Sequence, residues 1–213
     1  MSSTGEQNSS ALPPEEQQRA QVYALLARLL AQPPGADLLA ALASMEGDAG
    51  QGDSSPFGQA VSRLAAAARG ADARTVEEEF LVLFIGVGGG VLSPYASYYL
   101  TGFLHEKPLA ELRDDMARLG IARADDVKEP EDHMAAVAEM MAGLITGAFG
   151  EPADLGEQRR FFDRHVASWA GRFFADLEAT PPIGEYGAAF YKAVGTLGRR
   201  FLEVEGQAFD MAA

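Results

Sequence analysis

The chain has 213 residues and no cysteine, and its 17 Lys and Arg against 31 Asp and Glu give a net charge of −14 and an isoelectric point near 4.6. The lack of cysteine excludes disulfides, a thiol nucleophile, cysteine-ligated iron–sulfur clusters and thiolate zinc sites. The acidity argues against a nucleic-acid binder, which needs a basic face for phosphates; it suits a basic partner such as an Arg- or Lys-bearing peptide, or plain solubility.

A hydrophobic share of 47% supports a sizeable core. Met1 to Ser10 lacks a basic region followed by an apolar one, so no signal peptide is expected there, and no apolar run reaches the roughly 18 residues of a membrane span. The expectation is a soluble, cytoplasmic protein.

Residues 1–13 are Ser-rich and read as a disordered tail. A first helix opens at Pro14-Glu15-Glu16, carries Val22, Leu25, Leu26, Leu29 and Leu30 at helical spacing, and stops at Pro33-Pro34-Gly35. A second spans Asp37 to about Met45, and the Gly-, Asp- and Ser-rich stretch 46–56 is a loop. The Ala-rich stretch Phe57 to Arg69 is a third helix. A fourth places Val76, Phe80, Leu83 and Phe84 on one face and ends at Gly86. After the glycine-rich segment 86–90 comes a dense aromatic and hydroxyl cluster, Ser93 to Leu100.

Pro108 to Leu119, closed by Gly120, is the next helix, and a polar connector, 122–129, follows. Glu129-Pro130-Glu131-Asp132-His133 then reads as a capped helix start, with Pro130 at the first helical position and Glu131 and Asp132 in the first turn. His133 lies at the seam between the apolar face (Met134, Val137, Met141, Leu144, Ile145) and the polar one. Two long helices close the chain. One carries Phe162, Val166, Trp169, Phe173 and Leu177, the other Phe190, Val194, Leu197, Phe201 and Val204. No stretch alternates as a strand. The fold class is all-α, one connected bundle of about nine or ten helices over residues 14–210.

Candidate chemistry is sparse. The segment Gly86 to Gly90 lacks the Lys and Ser/Thr of a phosphate loop and follows no strand, so nucleotide binding there is the minor reading and a helix-to-helix link the major one. His105, His133 and His165 are scattered and no metal-binding helix motif is present; no metal or other cofactor is expected. No nucleophile elbow exists, and no enzymatic turnover is expected. A binding surface remains. Phe80, Leu83 and Phe84 form a stripe that reads as core first and as a groove wall second. Tyr95, Tyr98 and Tyr99 offer flat area and hydroxyls, either for a peptide groove or for packing under the glycine-rich segment.

Four motifs in series resemble one family. Glu129-Pro130-Glu131-Asp132-His133 matches the E-P-x-D-H motif of the TorD/DmsD/NarJ family of molybdoenzyme maturation chaperones. Glu79 to Gly86 resembles its aromatic-x-x-Leu-Phe helix, and Ser93 to Leu100 its Pro-aromatic loop. Phe161 to Trp169 and the helix from Phe190-Tyr191 to Glu203 resemble its C-terminal part. The resemblance implies an all-helical cytoplasmic chaperone that binds the twin-arginine signal peptide or N-terminal region of an apo molybdopterin oxidoreductase. It holds that client for cofactor insertion, acting as a monomer or homodimer without stable membrane association. A general likeness of Ser93 to Arg113 leans towards a formate dehydrogenase client. Carried over by motif, the peptide-binding positions are Phe80, Leu83, Phe84, Pro94, Tyr95, Pro130, Asp132 and His133; Tyr98 and Glu129, within the same motifs, complete the set. Tyr95 stands where some members carry tryptophan, and glycine replaces proline in 86–90. GTP binding, proposed for some members, keeps the nucleotide reading of Gly86 to Gly90 as the alternative. The acids near Asp132 are expected to meet the client arginines, and His133, titrating near neutral pH, to make binding pH-sensitive.

Overall fold

The structure is a computed structural model that describes residues 12–45, 55–86, 90–123, 127–183 and 189–212. The expected N-terminal tail up to residue 11, most of the loop 46–56, Val87 to Gly89 of the glycine-rich segment and residues 124–126 of the connector lie outside the described residues. Among the described residues there are ten α-helices and no strand. They are α1 (Pro14–Ala31), α2 (Ala36–Ser44), α3 (Pro56–Arg69), α4 (Ala73–Phe80), α5 (Ala96–Thr101), α6 (Lys107–Leu119), α7 (Met134–Thr146), α8 (Leu155–Phe162), α9 (Ala170–Ala179) and α10 (Phe190–Met211). Two π-helical turns, Leu81–Ile85 and Asp163–Ala167, extend α4 and α8.

Local chemistry sets many of the boundaries. Pro14 opens α1 with Glu15 and Glu16 in its first turn, where negative charge suits the helix dipole. Ser55, Asp72 and Asp154 cap α3, α4 and α8, each accepting a backbone N–H with its side chain. Helix α7 is the axis of the bundle. Met134, Val137, Ala138 and Met141 have essentially no exposed surface, and α1 packs along them. Helix α10 packs against α9 and α3, and α3 carries α2. Tyr23, Trp169, Phe173 and Tyr191 fill the interior. Burial at about 25 cal/mol per Å² of apolar surface makes this core the main source of stability.

The structure corrects the sequence reading in three places. Helix α7 begins at Met134 with His133 as its N-cap, so Pro130 is not at the first helical position and Glu131 and Asp132 are not in the first turn. Residues 96–101, read as a cluster, form the short helix α5. The long helix expected through Phe162 and Leu177 is broken. The Trp169 indole N–H donates to the His165 carbonyl at 2.8 Å, taking the acceptor that a continuous helix would offer to the Trp169 backbone. Phe162, Val166, Trp169, Phe173 and Leu177 are still all buried, because the π-turn re-aims the chain after the break.

Candidate functional site

The segment 129–134 and the segment 94–97 are laced together. The Ala96 N–H donates to the Asp132 carbonyl at 3.0 Å and the Met134 N–H to the Pro94 carbonyl at 2.8 Å, which pairs Tyr95 with His133 in an antiparallel bridge. The Asp132 carboxylate, with no exposed surface, accepts the Ser97 N–H at 2.8 Å. It therefore caps α5 rather than its own helix. Asp132 Oδ1 and Ser97 Oγ are buried beside it without a hydrogen-bond partner among the described residues. A carboxylate so enclosed does not face a peptide arginine; what it does is hold Pro94 and Tyr95 in place.

Tyr95 and His133 form one edge-to-face pair with ring centroids 5.0 Å apart. The Tyr95 hydroxyl donates to Glu129, and burial together with that carboxylate raises the phenol's pKa. His133 Nδ1 accepts the Ala135 N–H at 3.1 Å, which requires the neutral imidazole. Burial pushes the His133 pKa down to about 4, against the pull of Glu129 and Asp132. The expected titration of His133 near neutral pH is thus corrected: desolvation outweighs the two carboxylates.

Next to this corner lies a groove of about 380 Å³. It is lined by Phe80, Phe84 and Ile85, by Pro94, Tyr95 and His133, and by Ala135, Ala136 and Met140 of α7. Leu30, Met116, Ile121 and Phe149 close the apolar lining, while Arg123, Glu129, Glu131 and Glu139 supply charge. The groove is largely apolar, with three carboxylates to one guanidinium, which fits an apolar segment flanked by positive charge.

Backbone features shape the walls. The π-turn ends with the Gly86 N–H on the Leu81 carbonyl at 2.7 Å, and the returning chain donates from Val91 and Leu92 to the carbonyls of Val82 and Leu83. Gly90 passes so close that a Cβ would stand 2.3 Å from the Leu83 carbonyl oxygen. This packing gives the described end of the glycine-rich segment a structural duty. On α7, a Cβ at Gly143 would strike the Phe149 ring at 2.2 Å, so glycine there lets Phe149 lie against the helix and reach the groove.

Of the positions expected from the sequence, Phe80, Phe84, Pro94, Tyr95, Glu129 and His133 line the groove. Leu83 points into the core, and Phe80 and Phe84 also stack with Tyr191 behind the wall. Asp132 is sealed below the surface, Pro130 accepts the His133 N–H in the turn before α7, and neither lines the groove. Tyr98 lies outside it, edge-to-face with Tyr99. Tyr99 itself packs on Trp169 and Phe173. Arg123, Glu131, Glu139, Met140 and Phe149 were missed. Glu131 and Glu139 were legible as acids near the motif, but Phe149 and Arg123 reach the groove by tertiary placement alone. Among the described residues no group of three or more His, Asp or Glu is arranged to hold a metal ion, and no helix is long and apolar enough to cross a membrane.

The sequence pattern of the family described as nitrate reductase delta subunit matches residues 51–175, more than half of the chain. The chain belongs to this family, the TorD/DmsD/NarJ family. It is similar to the chaperone protein TorD of Vibrio atlanticus, with 27% identity over 139 residues, 61% of each chain. Similarity to the TorD of Photobacterium profundum is 30% over 122 residues, 52% of this chain and 55% of that one. The chain thus matches about three fifths of the length of these curated relatives or less. Its fold is similar to that of a putative redox enzyme maturation protein from Archaeoglobus fulgidus, with a TM-score of 0.55 and 18% identity over 87% of this chain and 94% of that one. The helical family fold is the fold expected from the motifs.

Proposed function

We propose that this member of the family is a cytoplasmic chaperone for the maturation of a molybdenum oxidoreductase. In this reading the groove between α4, α7 and the Pro94–Tyr95 segment receives the client's twin-arginine signal peptide or N-terminal region. The observation that carries the proposal is an apolar groove with an excess of carboxylates, built from the family's motifs. A twin-arginine signal has a basic start and an apolar segment, and the groove offers a match to both. Exposed ion pairs contribute about 0–1 kcal/mol each, so most affinity comes from burying the apolar segment. The net charge of −14 speeds encounter with a basic peptide, and that gain shrinks as salt rises. The named relatives are chaperones, and the role requires no turnover.

Calorimetry with the signal peptide of the oxidoreductase encoded nearest the gene tests the proposal, with a formate dehydrogenase as the first client to try. Saturable binding is expected. If neither a twin-arginine peptide nor its apoenzyme binds at up to about 100 μM protein, the proposal fails.

A further inference from the structure

The groove already contains an arginine of its own. Arg123 lines it, donates to the Val127 carbonyl through both Nε, at 2.8 Å, and Nη2, and sets its remaining Nη1 3.6 Å from Glu131 Oε1. Glu131 is nearly buried, and its other oxygen, Oε2, accepts Arg113 Nη2 at 2.7 Å and Nε at 3.0 Å. Arg113 comes from α6 and does not line the groove. Burial alone would push the Glu131 carboxyl up, but the Arg113 hydrogen bonds, the residue's own backbone N–H and, least, the nearby Arg123 outweigh it and favour the ionised group.

The two arginines are therefore unequal. Arg113 makes two charge-assisted hydrogen bonds, both to the one oxygen Oε2, which leaves Oε1 without a guanidinium hydrogen bond from behind. Arg123 stands on the groove side at ion-pair distance, with over a third of its side chain in solvent. Arg113 is the more exposed side chain of the two, at 51%, so what makes the Arg123–Glu131 pair the weaker is its length and its lack of a hydrogen bond. Of the other groove carboxylates, Glu129 is engaged by the Tyr95 hydroxyl.

Resting on the groove's role as a client site, we infer that Glu131 Oε1 is the receptor for a client guanidinium and that Arg123 occupies it in the free chain. Binding is then an exchange: an incoming arginine takes Oε1, Arg123 swings to solvent, and Arg113 keeps the carboxylate in place. The exchange makes the site selective. A basic peptide lacking apolar contacts gains nothing over Arg123, whereas one that fills the groove displaces it.

Three peptides that share one apolar segment and differ only in an Arg-Arg, Lys-Lys or Gln-Gln pair test this by calorimetry against the wild-type chain and Arg123→Gln. Arg123→Gln should tighten the Arg-Arg peptide roughly two- to fivefold and leave the Gln-Gln peptide unchanged. Glu131→Gln should weaken the Arg-Arg peptide by at least about tenfold, provided its melting temperature shows it folded. Arg123→Gln is a surface change and carries the test alone if Glu131→Gln does not fold. Equal tightening of the Arg-Arg and Gln-Gln peptides would make Arg123 a steric plug and overturn the exchange. So would an Arg-Arg affinity that is unchanged or reduced in Arg123→Gln; the client reading survives both results. Binding by Arg123→Gln but not by the wild type supports the exchange, and binding by neither overturns exchange and client site together.

Discussion

Two corners of the molecule are built from the same residue types and do opposite work. In one, His165 Nε2 meets Asp115 Oδ2 at 2.7 Å, Arg164 reaches the same oxygen at 2.9 Å, and Arg118 bonds the other. Burial raises the Asp115 pKa, but hydrogen bonds from His165 and Arg118 outweigh it and leave a lowered value. Phe161 packs on the His165 ring, Trp169 bonds the His165 carbonyl, and the cavity that His165 borders holds only about 30 Å³. In the other, His133 sits beside Asp132 in sequence, yet the two side chains part. Asp132 turns inward to α5 while His133 turns to Tyr95 and a groove of about 380 Å³. A histidine bonded to an acid on which its polar neighbours converge locks the fold. A histidine whose acid has been diverted elsewhere is left to line an opening.

The largest effect is expected at the locked corner. Trp169 is almost wholly buried and its indole N–H fixes the break between the π-turn and α9. Trp169→Ala should cost about 3–5 kcal/mol, read by chemical denaturation. Trp169→Phe, which keeps much of the volume but loses the N–H, should cost less. If Trp169→Phe costs as much as Trp169→Ala, the hydrogen bond and not the packing governs that corner.

Asp132→Ala comes next. It removes the acceptor for the Ser97 N–H in a dry place, and should destabilise by about 1–2 kcal/mol, with Asp132→Asn losing less. Client affinity should fall as well, because Pro94 and Tyr95 lose their anchor. A normal melting temperature with lost binding would put Asp132 in contact with the client and erase the distinction between the two corners.

The comparison also marks what the sequence made legible. Helical spacing found the buried faces of α4, α7 and, except for Val204, which is exposed one turn past Phe201, of α10, because a stripe of apolar residues at that period has one way to be buried. The polar motif was harder. Pro130 followed by acids is a good helix start in isolation, but the chain instead turns through Pro130 and begins α7 at Met134. What overrides the local signal is tertiary: Pro94 pairs with Met134 and Ala96 with Asp132 through backbone hydrogen bonds across 40 and 36 residues of chain. Glu79 shows the same effect. It lies in the last turn of α4, yet it is buried and caps α10 by accepting the N–H groups of Phe190 and Tyr191 at 2.9 and 3.0 Å. A sequence shows that a carboxylate can cap a helix; it does not show that the helix lies about a hundred residues away. The groove suffers most from this, since Arg123 and Phe149 meet the motif residues only after the bundle closes.

The smallest effect tests the open corner through its proton. His133 has a pKa near 4 in the folded chain against about 6.5 when unfolded. Between those values the unfolded chain binds more protons, so stability rises with pH through the window and is lost as pH falls from about 6.5 towards 4. One such group contributes at most about 1.4 kcal/mol per pH unit, and less here because the ring is partly exposed. His165, also lowered by burial against the pull of Asp115, acts in the same direction, so the wild-type slope alone does not isolate either histidine. His133→Asn does, since Asn at an N-cap still accepts the Ala135 N–H but does not titrate. Denaturation at pH 7, 6 and 5 should show a flatter dependence for His133→Asn than for the wild type. Equal slopes would mean that His133 is not desolvated in the folded chain. Above pH 6.5 the ring stays neutral in bound and free protein alike, so the variant and the wild type should share one pH profile for client affinity between pH 6.5 and 8.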